Sequence, residues 1–297
     1  MKLKIMNATG NTSGDAELPV QFSEPVREDL IKKAVLAIQN NNRQAYGAFP
    51  DAGMRHSAEV SKRRRDYKGC YGKGISRANR KILSRRGSQI HWVGAVSPGT
   101  VGGRRAHPPK AEKIWSWKLN TSERRKAIRS AMSATIIREL VQKRGHFVPE
   151  TYPFIINEDF EKFEKTKDLI AALSKIGFEA ELSRALNIGR RSGVGKLRGR
   201  RKTVKKSLLI VVSDSSKLFK AAKNIPGIDV VNVKLLNTAL LAPGGHYGRA
   251  TLFTVRAVEE LRKGLFTKDY SSPPQAAAKK NELKKDETKK NEQKKTK

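Results

Sequence analysis

Ser207-Leu208-Leu209-Ile210-Val211-Val212 reads as the clearest strand in the chain, a short apolar run of which half is β-branched. Working outward from it, the pattern alternates. Upstream, Phe154-Ile155-Ile156 reads as a buried strand, about Phe160 to Ile176 as a helix stopped by Gly177, and Phe178 to Leu182 as strand-like. Downstream come a short helix from about Ser215 to Lys223, a strand over Ile228 to Val231, a short helix over Lys234 to Leu241 and a last strand over Thr251 to Val255. A helix through Ala257, Val258 and Leu261 closes the series. Strands alternating with helices of this length need crossover connections. They predict an α/β fold with a mostly parallel sheet covered by helices.

Two longer helices precede this region. The first is expected from about Pro25 to Asn41, with Val26, Leu30, Ile31, Ala34, Val35 and Ile38 on one face and Ser23 as its N-cap. The second is expected from Asn120 to about Arg144, with Asn120 and Glu123 as a capping box and Gly145 at its end. Between them, from about Phe49 to Lys110, the periodicity disappears. Residues 51–110 hold 15 Lys or Arg against three acids, Asp51, Glu59 and Asp66. A structureless stretch this long in a compact domain needs something outside the chain to order it. After about Lys268 the chain runs KKNEL, KKDET, KKNEQ, KKTK, which predicts a disordered, lysine-rich tail. The expected organisation is therefore a globular α/β domain from residues 1–48 and 111–265, an extended loop over 49–110, and a low-complexity tail over 266–297.

Charge decides the class of partner. Lys and Arg total 62 against 28 acids, a formal net charge of +34. Such a surface repels itself unless a polyanion neutralises it. No run of about 18 apolar residues exists, so no membrane span is expected. The N-terminus lacks an apolar core of signal-peptide length, and Cys70 is the sole cysteine, which rules out an intramolecular disulfide and a cysteine-built zinc site. Cys70 reads as a small filler residue, and the whole fits a reducing cytoplasm. The five histidines form no metal spacing, and Gly193-Val-Gly195-Lys-Leu-Arg-Gly199 misses a dinucleotide fingerprint by one residue. Asp214 reads as an N-cap for the helix after the Ser207–Val212 strand. No catalytic residue, metal or cofactor is expected. An RNA-modifying or RNA-cleaving enzyme would need acids or histidines gathered at strand ends. A DNA reader would present a recognition helix.

The basic segments instead suit folded RNA. Residues 189–206, GRRSGVGKLRGRRKTVKK, hold nine Lys or Arg, four glycines and no acid. Glycine admits close approach of backbone to phosphate, and Arg supplies a planar fork for it. The long loop adds Tyr67, Tyr71 and Trp92, with Trp115 and Trp117 just beyond; flat rings stack on unpaired bases. Expected RNA contacts in the loop are Arg63, Arg64, Arg65, Lys68, Lys73, Arg77, Arg80, Lys81, Arg85, Arg86, Trp92, Arg104 and Arg105. In the second segment they are Arg190, Arg191, Lys196, Arg198, Arg200, Arg201 and Lys202.

Three stretches resemble a known family. GRRAHPPKAEKIWSWKLNTSERRKAIRSAMSATIIRELVQKRGH (Gly103 to His146), GRRSGVGKLRGRRKTVKKSLLIVVSD and LLAPGGHYGRATLFTVRAVEEL (Leu240 to Leu261) are similar to the archaeal–eukaryotic branch of universal large-subunit ribosomal protein four. The resemblance covers about residues 20–265. It implies a structural constituent of the large subunit, one copy per ribosome in the cytoplasm, that binds large-subunit rRNA and supports assembly. It also implies that the loop tip, through Tyr71, Gly72, Lys73, Gly74 and Arg77, helps line the peptide exit tunnel beside ribosomal protein twenty-two.

Overall fold

A computed structural model describes residues 1–214 and 216–267. The chain opens with β1 (Lys2–Met6), β2 (Thr12–Glu17) and α1 (Glu28–Asn41). The basic stretch carries β3 (Ala58–Glu59), β4 (Arg80–Arg86) and β5 (Gln89–Gly94). Next come α2 (Thr121–Ile136), α3 (Arg138–Lys143), β6 (Ile155–Ile156), α4 (Thr166–Lys175) and α5 (Glu179–Leu186). A ribbon of β7 (Gly189–Arg190) and β8 (Lys202–Thr203) encloses the single turn α6 (Val194–Leu197). The chain continues through β9 (Leu209–Val212), α7 (Leu218–Ala222), β10 (Asp229–Asn232), α8 (Thr238–Leu241), β11 (Thr251–Thr254) and α9 (Val255–Arg262). Contacts among the described residues gather into two units: Met1–Gln39 with those from Trp117 to Thr267, and Asn40–Ser116.

The first unit is built on a six-stranded sheet in the order β10-β9-β11-β6-β1-β2. Every pairing is parallel except that of β1 with β2. Because side chains alternate across a strand, each central strand feeds two cores. Ile156, Ile210, Val212 and Leu252 face one, packed against Leu169 and Leu173 of α4, Leu182 of α5 and Leu218 of α7. Ile155, Leu209, Val211 and Phe253 face the other, packed against Ile31 and Val35 of α1, Ile128 and Met132 of α2, and Val258 and Leu261 of α9. The mostly parallel sheet between helical layers is the architecture that the alternation predicts.

Several local expectations are corrected. Phe178 to Leu182 is not a strand: Phe178, Glu181, Leu182 and Ala185 are buried at three- and four-residue spacing, the signature of α5. The expected helix from Asn120 to Arg144 breaks at Ile137, whose backbone is extended. The Tyr152 hydroxyl takes the Thr135 carbonyl, which a continuous helix would have offered to a backbone amide. Asn120 occupies the N-cap of α2 without a side-chain bond, and Glu123 pairs with Lys33 at 3.1 Å instead of closing a capping box. The first helix starts at Glu28, not Pro25. Ser23 lies in a 3-10 turn, and the Arg27 amide donates to the Ser130 hydroxyl at 2.6 Å. The expected helix from Phe160 divides into a 3-10 turn (Glu158–Lys162) and α4, with Phe160 and Phe163 edge to face at 5.4 Å. Likewise, the expected Lys234–Leu241 helix divides into a 3-10 turn (Val233–Leu235) and α8. Asp214 is not a cap: α7 begins at Leu218, with Lys217 in the cap position. The stretch expected to lack packed elements carries β3, β4 and β5. The lysine-rich tail beyond Thr267 lies outside the described residues.

Neither core contains a residue between Asn40 and Ser116. Replacing residues 54–103 by a short Gly-Ser bridge should therefore leave a cooperative thermal transition by circular dichroism. Phe160→Ala in that shortened chain should lower its stability by about 3–5 kcal/mol. A broad, non-cooperative melt of the shortened chain would show that the deleted stretch belongs to the core.

Candidate nucleic-acid interface

Within the unit Asn40–Ser116, the two chain segments close at their root. The Asn40 amide donates to the Trp115 carbonyl, and the Ala48 amide to the Pro109 carbonyl at 2.9 Å. The Tyr46 ring lies 4.8 Å from the Trp115 ring, which also carries the Arg43 guanidinium at 5.3 Å and the Lys113 ammonium at 5.0 Å. At Gly53, with φ +78°, any Cβ would sit 2.6 Å from the Arg104 Cα, so only glycine lets the segments pass.

Farther out, β3-β4-β5 form an antiparallel sheet that sets cations on aromatic faces. The register pairs Ile82 with Trp92 and Arg80 with Gly94, bringing Arg80 to 5.9 Å from the Trp92 ring; Lys73 lies at 5.8 Å from it. Arg77 sits 4.8 Å from the Tyr71 ring, and Arg85 sits 5.3 Å from the Tyr67 ring while donating to its hydroxyl at 3.1 Å. Lys68 is 5.7 Å from the same ring. Asp66 shapes the turn beside Arg63, Arg64 and Arg65 by accepting from the Ser61 hydroxyl at 2.5 Å and the Tyr67 amide at 2.8 Å. Those bonds hold its carboxyl below the usual aspartate range. Cys70, read from the sequence as a small filler, is buried. Of the cations expected here, only Lys68 meets a carboxylate, Glu59 at 3.1 Å. Among the described residues, Lys81, Arg86, Arg104 and Arg105 make no ion pair with a carboxylate, and neither do the remaining cations of the set. Tyr71, Gly72, Lys73, Gly74 and Arg77 are all exposed.

The second basic segment folds as its own ribbon in the first unit. Gly189 pairs with Thr203 and Arg190 with Lys202, while the Arg191 amide donates to the Arg201 carbonyl at 2.9 Å. Arg190, Arg191, Lys196, Arg198, Arg200, Arg201 and Lys202 are exposed, and among the described residues none of them pairs with a carboxylate. Both feet of the ribbon meet one buried carboxylate that sequence reading missed. Glu181 accepts from Arg184 at 2.6 and 2.8 Å, the Ser207 hydroxyl at 2.9 Å, the Phe147 amide at 3.0 Å and His146 Nδ1 at 2.8 Å. Arg184 also donates to the Lys206 carbonyl at 2.8 Å. Nearby, Arg249 is fully buried and donates to the Ser207, Leu208 and Gly227 carbonyls and to Asp229 at 2.6 Å. Burial pushes the Glu181 carboxyl up, but the bonds from Arg184, His146 and Phe147 outweigh it and hold it at about 2. Burial keeps His146 below its ordinary value of 6.5, against the pull of Glu181. The ring is therefore neutral near pH 7, with its proton on Nδ1, because a carboxylate can only accept.

Both groups make the fold sensitive to acid. Below about pH 6.5 the unfolded chain takes up a proton at His146 that the folded chain refuses, and between 4.5 and about 2 the same holds at Glu181. Stability should fall as pH drops through each window. His146→Gln should shrink the loss of melting temperature between pH 7 and 5, and parallel curves for the two proteins would remove the ring from the linkage. Glu181→Ala should cost about 3–5 kcal/mol at neutral pH, since it strands Arg184 and leaves Ser207 unpaired.

Comparison with known proteins gives these basic surfaces a context. The profile described as Ribosomal protein L4/L1 family matches residues 16–264. "Large ribosomal subunit protein uL4" of Nanoarchaeum equitans is 47% identical over 264 residues, covering 89% of this chain and 98% of its own. The protein of the same name from Archaeoglobus fulgidus is 44% identical over 266 residues, covering 89% and 100%. That from Methanocaldococcus jannaschii is 41% identical over 265 residues, covering 89% and 99%. None of these names describes an enzyme. Matched along most of its length by the profile and by these archaeal relatives, the chain belongs to the ribosomal protein L4/L1 family, in its archaeal branch.

Proposed function

We propose that the chain is a structural constituent of the large ribosomal subunit, present once per cytoplasmic ribosome, where it binds large-subunit rRNA and supports assembly. The observation that carries this reading is the export of uncompensated charge onto two surfaces: the aromatic-backed cations of Asn40–Ser116 and the Arg190–Lys202 ribbon. Phosphates neutralise such surfaces, and each one bound releases condensed counterions, which offsets the entropy of ordering the loop. Family membership supports the ribosome as the source of that RNA. The test is whether the chain co-sediments with the large subunit at about 0.15 M salt, where phosphate contacts persist; its absence from the pelleted subunits would reject the reading.

The resemblance further supports a place for Tyr71, Gly72, Lys73, Gly74 and Arg77 at the peptide exit tunnel, with ribosomal protein twenty-two as the neighbour. Most loop cations lie away from this tip: Arg63, Arg64, Arg65 and Lys68 on one side, and Arg85, Arg86, Arg104 and Arg105 on the other. Those should dominate affinity while the tip shapes the passage.

Two outcomes follow from this division. Affinity for rRNA should fall steeply with salt, with a slope of roughly 6–10 phosphate contacts, and neutralising Arg198, Arg200 and Arg201 together should flatten it. An unchanged slope would take the ribbon out of the interface. Shortening the tip between Lys73 and Arg80 should spare incorporation into subunits but alter nascent-chain stalling, whereas charge reversal at Arg85, Arg86, Arg104 and Arg105 should block incorporation. The opposite pattern would reject the assignment of roles along the loop.

A further inference from the structure

A cavity of about 500 Å³ opens on the first unit, away from both basic segments in sequence. Its floor is apolar: Ile38 of α1, Ile128 of α2 and Leu236. Arg124, in the first turn of α2, and Lys234 are both exposed and line it, and among the described residues neither has a carboxylate partner. No acidic residue lines it. Leu235 is 71% exposed beside it, a large apolar side chain left in water.

Two features of the wall are costly in isolation. Phe266 holds φ at +66°, a left-handed backbone that bulky residues avoid, and its carbonyl is fixed by Arg129 at 2.7 Å. The Thr238 hydroxyl is buried without a hydrogen-bond partner. Strain and an unmet polar group recur at built binding sites, and the volume falls in the range of roughly 300–1,000 Å³ that holds small ligands.

Charge selects the occupant. A second copy of this chain carries +34 and is repelled by a cationic rim. The chain's own segment 268–297 holds ten lysines against five acids and is repelled as well. What fits an apolar slot with cations at its mouth is a flat ring carrying a phosphate. We propose that this cavity receives the base of one unpaired rRNA nucleotide, turned out of its helix, with the adjoining phosphate on Arg124 and Lys234. This would be a third RNA contact, on the helical layer of the domain and not on its basic extensions. It rests on the reading of the chain as a large-subunit component.

The experiment uses the full chain assembled into large subunits, with a photoreactive benzoylphenylalanine in place of Leu235. Irradiation should link this position to rRNA at one or two unpaired nucleotides. Arg124→Glu with Lys234→Glu should lower that yield more than about tenfold, because two phosphate contacts are lost. Both residues are exposed, so the melting temperature of the double variant should match that of the parent. A link to a neighbouring protein or to the chain's own tail would overturn the nucleotide site. So would the absence of any link in subunits that contain the chain, or a yield indifferent to the double variant. If the chain is missing from the subunits altogether, the ribosomal reading fails first and the site fails with it.

Discussion

Repulsion among 62 cations, opposed by only 28 acids, sets the terms on which this chain can fold. A core cannot hold such charge, because a buried cation loses its hydration unless carbonyls and carboxylates replace it. The solution is segregation. The two cores flanking the parallel sheet are made almost wholly of aliphatic and aromatic side chains. Most of the uncompensated charge sits in segments that contribute nothing to those cores.

Three arginines that reach the interior exchange water for fixed acceptors. Arg249 reaches four carbonyls and the Asp229 carboxylate. Arg129 takes Glu24 at 2.9 Å and the Phe266 carbonyl at 2.7 Å. Arg184 takes Glu181 and the Lys206 carbonyl. These bonds have a common consequence, since they tie down chain ends and loop feet that apolar packing leaves loose. Glu181 joins α5, which precedes the ribbon, to the chain that follows it, through Arg184 and Ser207. The exposed arginines of the ribbon thus project from an anchored base, although no acid lies within the ribbon itself.

The central sheet was legible because Ser207–Val212, Phe154–Ile156 and Thr251–Val255 are apolar on both faces and too short for helices. Elements with mixed faces were not. β1 interleaves lysines with Leu3 and Ile5, and β2 is polar throughout, so this edge pair carries no hydrophobic signal. At Phe178–Leu182, a buried glutamate imitated the solvent side of a strand. Its burial depends on Arg184, His146 and Ser207, partners that only the fold brings together. Charge needs no fold to be seen, so the cations of the two basic segments could be named from the sequence. Their seating could not: Arg80 reaches Trp92 through the register of β4 with β5, and Arg85 reaches Tyr67 across 18 residues.

That seating bears on how the unit Asn40–Ser116 is held. Its only buried apolar side chains are Cys70 and Ala95. Ordering a backbone costs about 1–2 kcal/mol per residue, while fully burying a large aliphatic side chain contributes only about 1.5–3 kcal/mol. Two small buried residues cannot offset the cost for a segment of this length. The cation–aromatic pairs add about 0.5–1 kcal/mol each at exposed sites, which also falls far short. On the proposed reading the balance comes from rRNA, and the cations define the sign of what can supply it. A guanidinium stacked on a ring keeps its N–H edge free in the ring plane. Arg77 on Tyr71 can therefore hold the aromatic face and still offer donors to phosphate, whereas Arg80 beside Trp92 already gives one nitrogen to the Ser76 carbonyl and hydroxyl. The pairs narrow the conformations left to order, and on the proposed reading rRNA phosphates supply the rest.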